Sequence, residues 1–201
     1  MRCFVCLVPP APVRRLLCER LSRVRREHGG VKWVREDLLH VTLMFLGEVA
    51  PRVPSELELR LKPLLAGIPP FRLGLGGMGV FPSASSPRVL WVGLEGDGGS
   101  MERLKALAEA VEEASRGVLI ARGEPFVPHM TLGRVRRGET VGAGLMDALE
   151  GVRFRPGEGD FLVDQVVVME SRLGPGGPSY VPLKRIPLGV DGGLGGLPGG
   201  L

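Results

Sequence analysis

The feature that most constrains this chain is an internal echo. It has three histidines, and two of them head nearly the same tetrapeptide: His40-Val41-Thr42-Leu43 and, 89 residues later, His129-Met130-Thr131-Leu132. The segments around each run in the same predicted order. Arg2–Val8 reads as a short apolar strand. Val13, Leu16, Leu17, Leu21 and Val24 then recur at helical spacing over Val13–His28, and Gly29-Gly30 ends that helix. A strand follows over Leu38–Leu46. The second half repeats this with a strand at Arg88–Leu94, a helix at Met101–Ala114 carrying Met101, Leu104, Leu107 and Val111 on one stripe, and a strand at Phe126–Val135. A further helix is predicted at Ser55–Leu65 and strands at Phe71–Leu75, Phe161–Met169 and Tyr180–Ile186. An approximate duplication accounts for the repeated order, and the expected fold is α+β in two similar lobes.

Within a strand, residues i and i+2 share a face. Each histidine therefore points with its threonine, about 7 Å apart along the strand. Val41 and Leu43, or Met130 and Leu132, turn the other way into a core. Two such strands facing each other surround one cleft with two imidazoles and two hydroxyls. Imidazoles supply an acid and a base near neutral pH, and threonine hydroxyls donate to phosphate oxygens. That set can open a phosphodiester without a metal. A mononuclear metal site normally adds a third His, Cys or carboxylate. Neither tetrapeptide contains one, and Asp37 and Glu48 flank the first strand rather than line its His/Thr face. No metal or other cofactor is expected.

Composition narrows the remaining classes. With 44% hydrophobic and 24% charged residues in 201, the chain can bury a sizeable core, and it has no apolar run of membrane-spanning length. Its 31 glycines and 18 prolines call for many turns. Seven of those glycines fall in Gly189–Leu201, read as a flexible tail after a single bilobal domain over 1–188. The net charge is +4, with 22 Arg against 4 Lys, a balance suited to a phosphate-bearing partner. Three cysteines, and an N-terminus too short in apolar residues for a signal peptide, point to a cytoplasmic protein. Cys3 and Cys6 form a C-x-x-C inside a predicted strand, where they face opposite sides and read as buried structural residues.

Other features read as structural. Gly74–Gly79 matches G-x-G-x-x-G, but Val80-Phe81-Pro82-Ser83 and Pro87 follow it and argue for a loop instead of the helix a dinucleotide site requires. His28 suits a helix C-terminus. The arginines opposite the apolar stripe of the first helix (Arg14, Arg15, Arg20, Arg23, Arg25 and Arg26) read as a solvated face. Phe81, Phe126 and Tyr180 are candidates to stack on an unpaired base, with Tyr180 best suited to a cleft rim.

The sequence resembles the 2H phosphoesterases, and within them the bacterial and archaeal RNA 2′,3′-cyclic phosphodiesterase branch, long called the 2′-5′ RNA ligase family. The resemblance covers roughly residues 1–188 and rests on HVTLMFLGEV, FVPHMTLGRV, GGMGVFP at 76–82, RVLWVGL at 88–94 and ESRLGPGGPSY at 170–180. It implies a bilobal fold with an antiparallel sheet in each lobe, helices outside and the active site in the cleft between. It also implies hydrolysis of RNA 2′,3′-cyclic phosphate ends to 2′-phosphomonoesters, with His40 as proton donor and His129 as proton acceptor. Thr42 and Thr131 would hold the phosphate, and the family's arginine falls on Arg134. That arginine lies five residues after His129, so strict alternation would aim it at the wrong face. Serving the phosphate requires the strand to end or bulge near Gly133. Two other readings stay open. One is a 2′-5′ RNA ligase running the same chemistry in reverse; the other is an RNA-binding module without catalysis. A monomer is expected.

Overall fold

The periodicities of the sequence become nine strands and five helices among the described residues, in a computed structural model that describes residues 1–117, 126–142 and 144–189. In chain order these are β1 (Arg2–Leu7), α1 (Ala11–Arg20), α2 (Ser22–Glu27), β2 (Val31–Trp33), a 3₁₀ turn (Glu36–Leu38), β3 (Val41–Glu48), α3 (Val53–Leu65), β4 (Phe71–Phe81), β5 (Val89–Glu95), α4 (Gly98–Ser115), β6 (His129–Val135), α5 (Leu145–Glu150), β7 (Phe161–Val163), β8 (Gln165–Gly174) and β9 (Gly177–Pro187). The predicted first helix bends into two at Leu21, which is fully buried. The six-residue α5 and three-residue β2 carry too few residues to announce a period. Of the tail read at Gly189–Leu201, Gly189 donates to the Leu65 and Ile68 carbonyls and residues 190–201 lie outside the described residues.

The strands pair antiparallel in one curled sheet, in the order β7-β4-β5-β6-β3-β1-β8-β9, with β2 added beside β6. The predicted α+β class and antiparallel pairing hold. The halves are joined, however, by a single seam where β3 meets β6 at the pair Val41↔Met130. Strands also cross between halves: β4 follows β3 in the chain but pairs with β5, and β8 follows β7, a partner of β4, but pairs with β1. Each half of the sheet is therefore completed by strands from the other half of the sequence, β2 and β4 on one side of the seam and β8 and β9 on the other.

The helices cover one face of this sheet. Leu17, Leu21, Leu57, Leu61, Leu104, Leu107 and Leu149 join Val5, Val41, Leu90, Met130 and Val168 in the main core. The other face carries a small second cluster of Phe4, Cys6, Val167 and Met169, with Tyr180 packed against it. Cys3 lies in the main core and Cys6 in the small cluster, on opposite faces of β1 as the period of two demands. Burial pushes the Cys6 thiol up to about 12, so it is inert at neutral pH.

Two sequence expectations are corrected. The glycine run expected as a loop continues β4 as far as Phe81. A Cβ on Gly79 would sit 2.4 Å from the indole of Trp91, so a side chain there is sterically excluded. The first-helix arginines are also not simply a solvated face. Arg14 donates to the carbonyls of Glu36 and Asp37 at 3.4 and 3.1 Å. Arg25 lies over the Trp33 ring at 5.4 Å and donates to the Val34 carbonyl at 3.3 Å. Together they pin the 34–37 segment that delivers the chain into His40.

Candidate active site

The seam places the two motifs side by side. Val41 and Met130, its paired residues, are fully buried and point into the main core. Their neighbours must then emerge on the opposite face, and antiparallel register sets His40 across from Thr131 and His129 across from Thr42. All four are partly exposed. The sequence-predicted quartet is thus gathered on one patch of sheet. Neither threonine hydroxyl is engaged in a hydrogen bond among the described residues.

The two imidazoles are held by the same device. Nδ1 of His40 lies 2.7 Å from the Leu38 carbonyl, and Nδ1 of His129 lies 2.7 Å from the Val127 carbonyl. A carbonyl only accepts, so each Nδ1 carries the hydrogen and each Nε2 is left for a ligand. Aromatic rings fix the planes. His40 meets Tyr180 edge-on at 5.2 Å and Phe4 at 4.8 Å. His129 meets Phe81 edge-on at 5.2 Å and Trp91 at 6.4 Å. Phe4 on β1 and Trp91 on β5 hold corresponding places, and residue spacing marks neither as a site residue.

Burial governs the electrostatics of His40. Burial pulls the His40 pKa below 6.5; its hydrogen bond to Leu38 opposes that shift, and the nearby His129 adds to it. Burial also raises the Tyr180 phenol, with the Arg134 and Arg2 guanidinia pulling the other way. Arg134 is therefore within Coulomb reach of a ring that touches His40, across the seam from its own strand.

Arg134 reaches this face by a bulge. Trp91 pairs with Thr131, but the next residue, Leu90, pairs with Gly133, so β6 spends two residues against one. Leu132 and Gly133 are both buried, and Arg134 emerges exposed on the His129/Thr131 side. The same irregularity occurs on β3. Cys6 pairs with Thr42 while Val5 pairs with Met44, which brings Phe45 out on the site face. Phe45 is 68% exposed and lies 6.3 Å from Phe4. Sequence alternation assigns it to the core side and misses it. Of the predicted stacking candidates, Phe81 and Tyr180 flank the histidines, whereas Phe126 packs against the main core. Among the described residues no three His, Cys, Asp or Glu side chains cluster as metal ligands would, and no helix is long and apolar enough to cross a membrane.

Known proteins resemble this chain in sequence and in fold. The chain is 33% identical over 180 residues to an RNA 2′,3′-cyclic phosphodiesterase of Thermotoga maritima, covering 90% of this chain and 91% of that one. It is 36% identical over 195 residues to another of that name from Thermus thermophilus, covering 94% and 90%. Among solved structures, TT0787 of Thermus thermophilus superposes with a TM-score of 0.71 at 31% identity, covering 95% of this chain and all of that one. Escherichia coli LigT complexed with 3′-AMP does so with a TM-score of 0.66 at 28% identity, covering 94% and 98%. The 2′-5′ RNA ligase superfamily matches residues 9–175, a span that takes in both histidine motifs, both bulges and Arg134. The chain belongs to the 2′-5′ RNA ligase superfamily of 2H phosphoesterases.

Proposed function

We propose that this protein hydrolyses 2′,3′-cyclic phosphate ends of RNA to 2′-phosphomonoesters without a metal ion. The observation that carries the reading is the matched pair of imidazoles, each with Nδ1 committed to a backbone carbonyl and Nε2 left free beside a threonine of the other motif. A binding module has no need of two imidazoles held in one tautomer. The relatives named for this activity at about a third identity support it.

In the reaction, Nε2 of His129 takes a proton from water as the oxygen bonds to phosphorus. The bond from phosphorus to O3′ breaks, and Nε2–H of charged His40 gives its proton to that oxygen. The product carries a 2′-phosphate and a 3′-hydroxyl, and exchange with solvent returns both rings to their starting states. Thr42, Thr131 and the Arg134 fork hold the non-bridging oxygens as charge builds on them. The depressed His40 pKa makes its charged form a ready donor, and a bound phosphate anion restores the charge that burial disfavours.

The test is hydrolysis of a 2′,3′-cyclic nucleotide with and without EDTA, with the product isomer identified. A 2′-nucleotide formed equally in both arms is expected. No turnover, or strict dependence on added metal, overturns the reading. Adding a 5′-hydroxyl oligonucleotide to the same mixture reports the reverse reaction, in which that hydroxyl replaces water.

A further inference from the structure

Lys32 and Arg134 stand directly opposite each other where β2 pairs with β6. Paired residues leave a sheet on the same face, here the face of His129 and Thr131, and like charges so placed repel. Both side chains are exposed, and neither has an ion-pair partner among the described residues. Two nearby acids leave the repulsion standing. Glu139 has its carboxylate beside Gly30 but pairs with neither cation, and Asp37 is held by Arg35. Arg136, two residues beyond Arg134 and bonded through its backbone to Gly30, adds a further guanidinium at this end of the strand. A cyclic phosphate diester carries one negative charge, which Arg134 alone can match. The end of β6 therefore holds more positive charge than the proposed reaction consumes.

We propose that Lys32 is a second phosphate site, which holds the internucleotide phosphate just upstream of the cyclic one. The substrate is then the 3′ end of an RNA chain in preference to a free 2′,3′-cyclic mononucleotide. This rests on the reading under Proposed function and deepens it. An ammonium is a point charge without the planar fork of a guanidinium. It suits a phosphate that is positioned rather than reacted upon, and such contacts carry no base information. The upstream nucleotide is accordingly accepted whatever its base.

The experiment compares kcat/KM for a dinucleotide ending in a 2′,3′-cyclic phosphate with that for the matching cyclic mononucleotide, at low and high salt. Wild type is expected to favour the dinucleotide by on the order of tenfold at low salt, with the advantage shrinking as salt rises. Lys32→Gln loses the advantage through KM and leaves the mononucleotide unchanged, Lys32→Glu falls further, and Lys32→Arg retains it. The side chain is exposed on a three-residue strand, so these variants fold. Equal wild-type efficiency on both substrates, or a Lys32→Gln loss shared equally by both, overturns the proposal and leaves the hydrolase reading intact. If wild type cleaves neither substrate, the hydrolase reading fails instead. Calorimetric binding of a dinucleotide and a mononucleotide bearing 2′-phosphates then decides the Lys32 site by itself: tighter dinucleotide binding, lost in Lys32→Gln, supports it, and equal binding overturns it.

Discussion

Phe45 and Arg134 occupy matching positions on opposite sides of the seam. Each lies five residues after its histidine, each follows a bulge, and each emerges exposed on the face that carries the imidazoles. One presents a guanidinium and the other a bare aromatic ring. An exposed phenyl beside a phosphate site is a platform for an unpaired base, since every base has a stacking face. Phe45→Ala is expected to raise KM for 2′,3′-cyclic nucleotides by on the order of tenfold with a smaller effect on kcat. Phe45→Tyr should behave as wild type. Loss of kcat at unchanged KM would remove the stacking assignment.

The contrast between these two residues shows what the sequence carries and what it does not. His40, Thr42, His129 and Thr131 obey a period of two within uninterrupted pleat, so their common face is readable from spacing alone. Arg134 breaks the period, but Gly133 marks where a bulge can form. The bulge on β3 falls at Leu43 and Met44, two ordinary apolar residues with no such mark, and so Phe45 stays hidden. The glycine run of β4 misleads in the opposite direction. Glycine there makes room for an indole that belongs to another strand, and only the register Gly79↔Trp91 reveals it. The interleaving of β4 and β8 between halves is likewise invisible, because it depends on which edges pair and not on any local pattern.

Both histidines should be required. General acid and general base each contribute roughly 10²- to 10⁴-fold, so His40→Ala and His129→Ala are each expected to lose at least that order of kcat. The double variant should be little worse than either single one, because the groups act as a unit. A folded His129→Ala within about threefold of wild type would sink the acid–base scheme.

The pH dependence follows from His40. Its pKa lies below 6.5, chiefly through burial. An NMR titration of the ring should therefore give a midpoint under that value. Saturation with a 2′-nucleotide should move the midpoint up, since an adjacent phosphate favours the charged ring. Stability has a matching sign. Between the folded pKa and 6.5 the unfolded chain binds more protons, so folding stability falls as pH drops through that window and levels off below it. His40→Gln removes this term. A midpoint at or above 6.5 without ligand would contradict the burial argument.

Arg134 offers a test of the bidentate contact. Lysine keeps the charge but not the fork. Arg134→Lys is expected to lower kcat by on the order of tenfold and Arg134→Ala by more, as for loss of an electrostatic donor in a transition state. A structure with a bound 2′-nucleotide in which the guanidinium points away from the phosphate would dismiss the role.

The last prediction concerns the support behind His129. The Trp91 indole lies where a side chain on Gly79 would be, and it also packs 5.2 Å from Phe81 and 6.4 Å from His129. Gly79→Ala must displace that indole, because its Cβ would stand 2.4 Å from ring carbon. Overpacking of this kind costs about 1–3 kcal/mol, which a denaturant melt can resolve. The displaced ring also loosens the aromatic wall that orients the imidazole, so kcat should fall while KM changes less. Gly77, two residues away on the same strand, has nothing within 4 Å of its would-be Cβ. Gly77→Ala is therefore the control, expected to leave both the melt and kcat close to wild type. Equal effects from the two substitutions would show that β4 tolerates alanine poorly for backbone reasons and that the Trp91 contact is not what Gly79 protects.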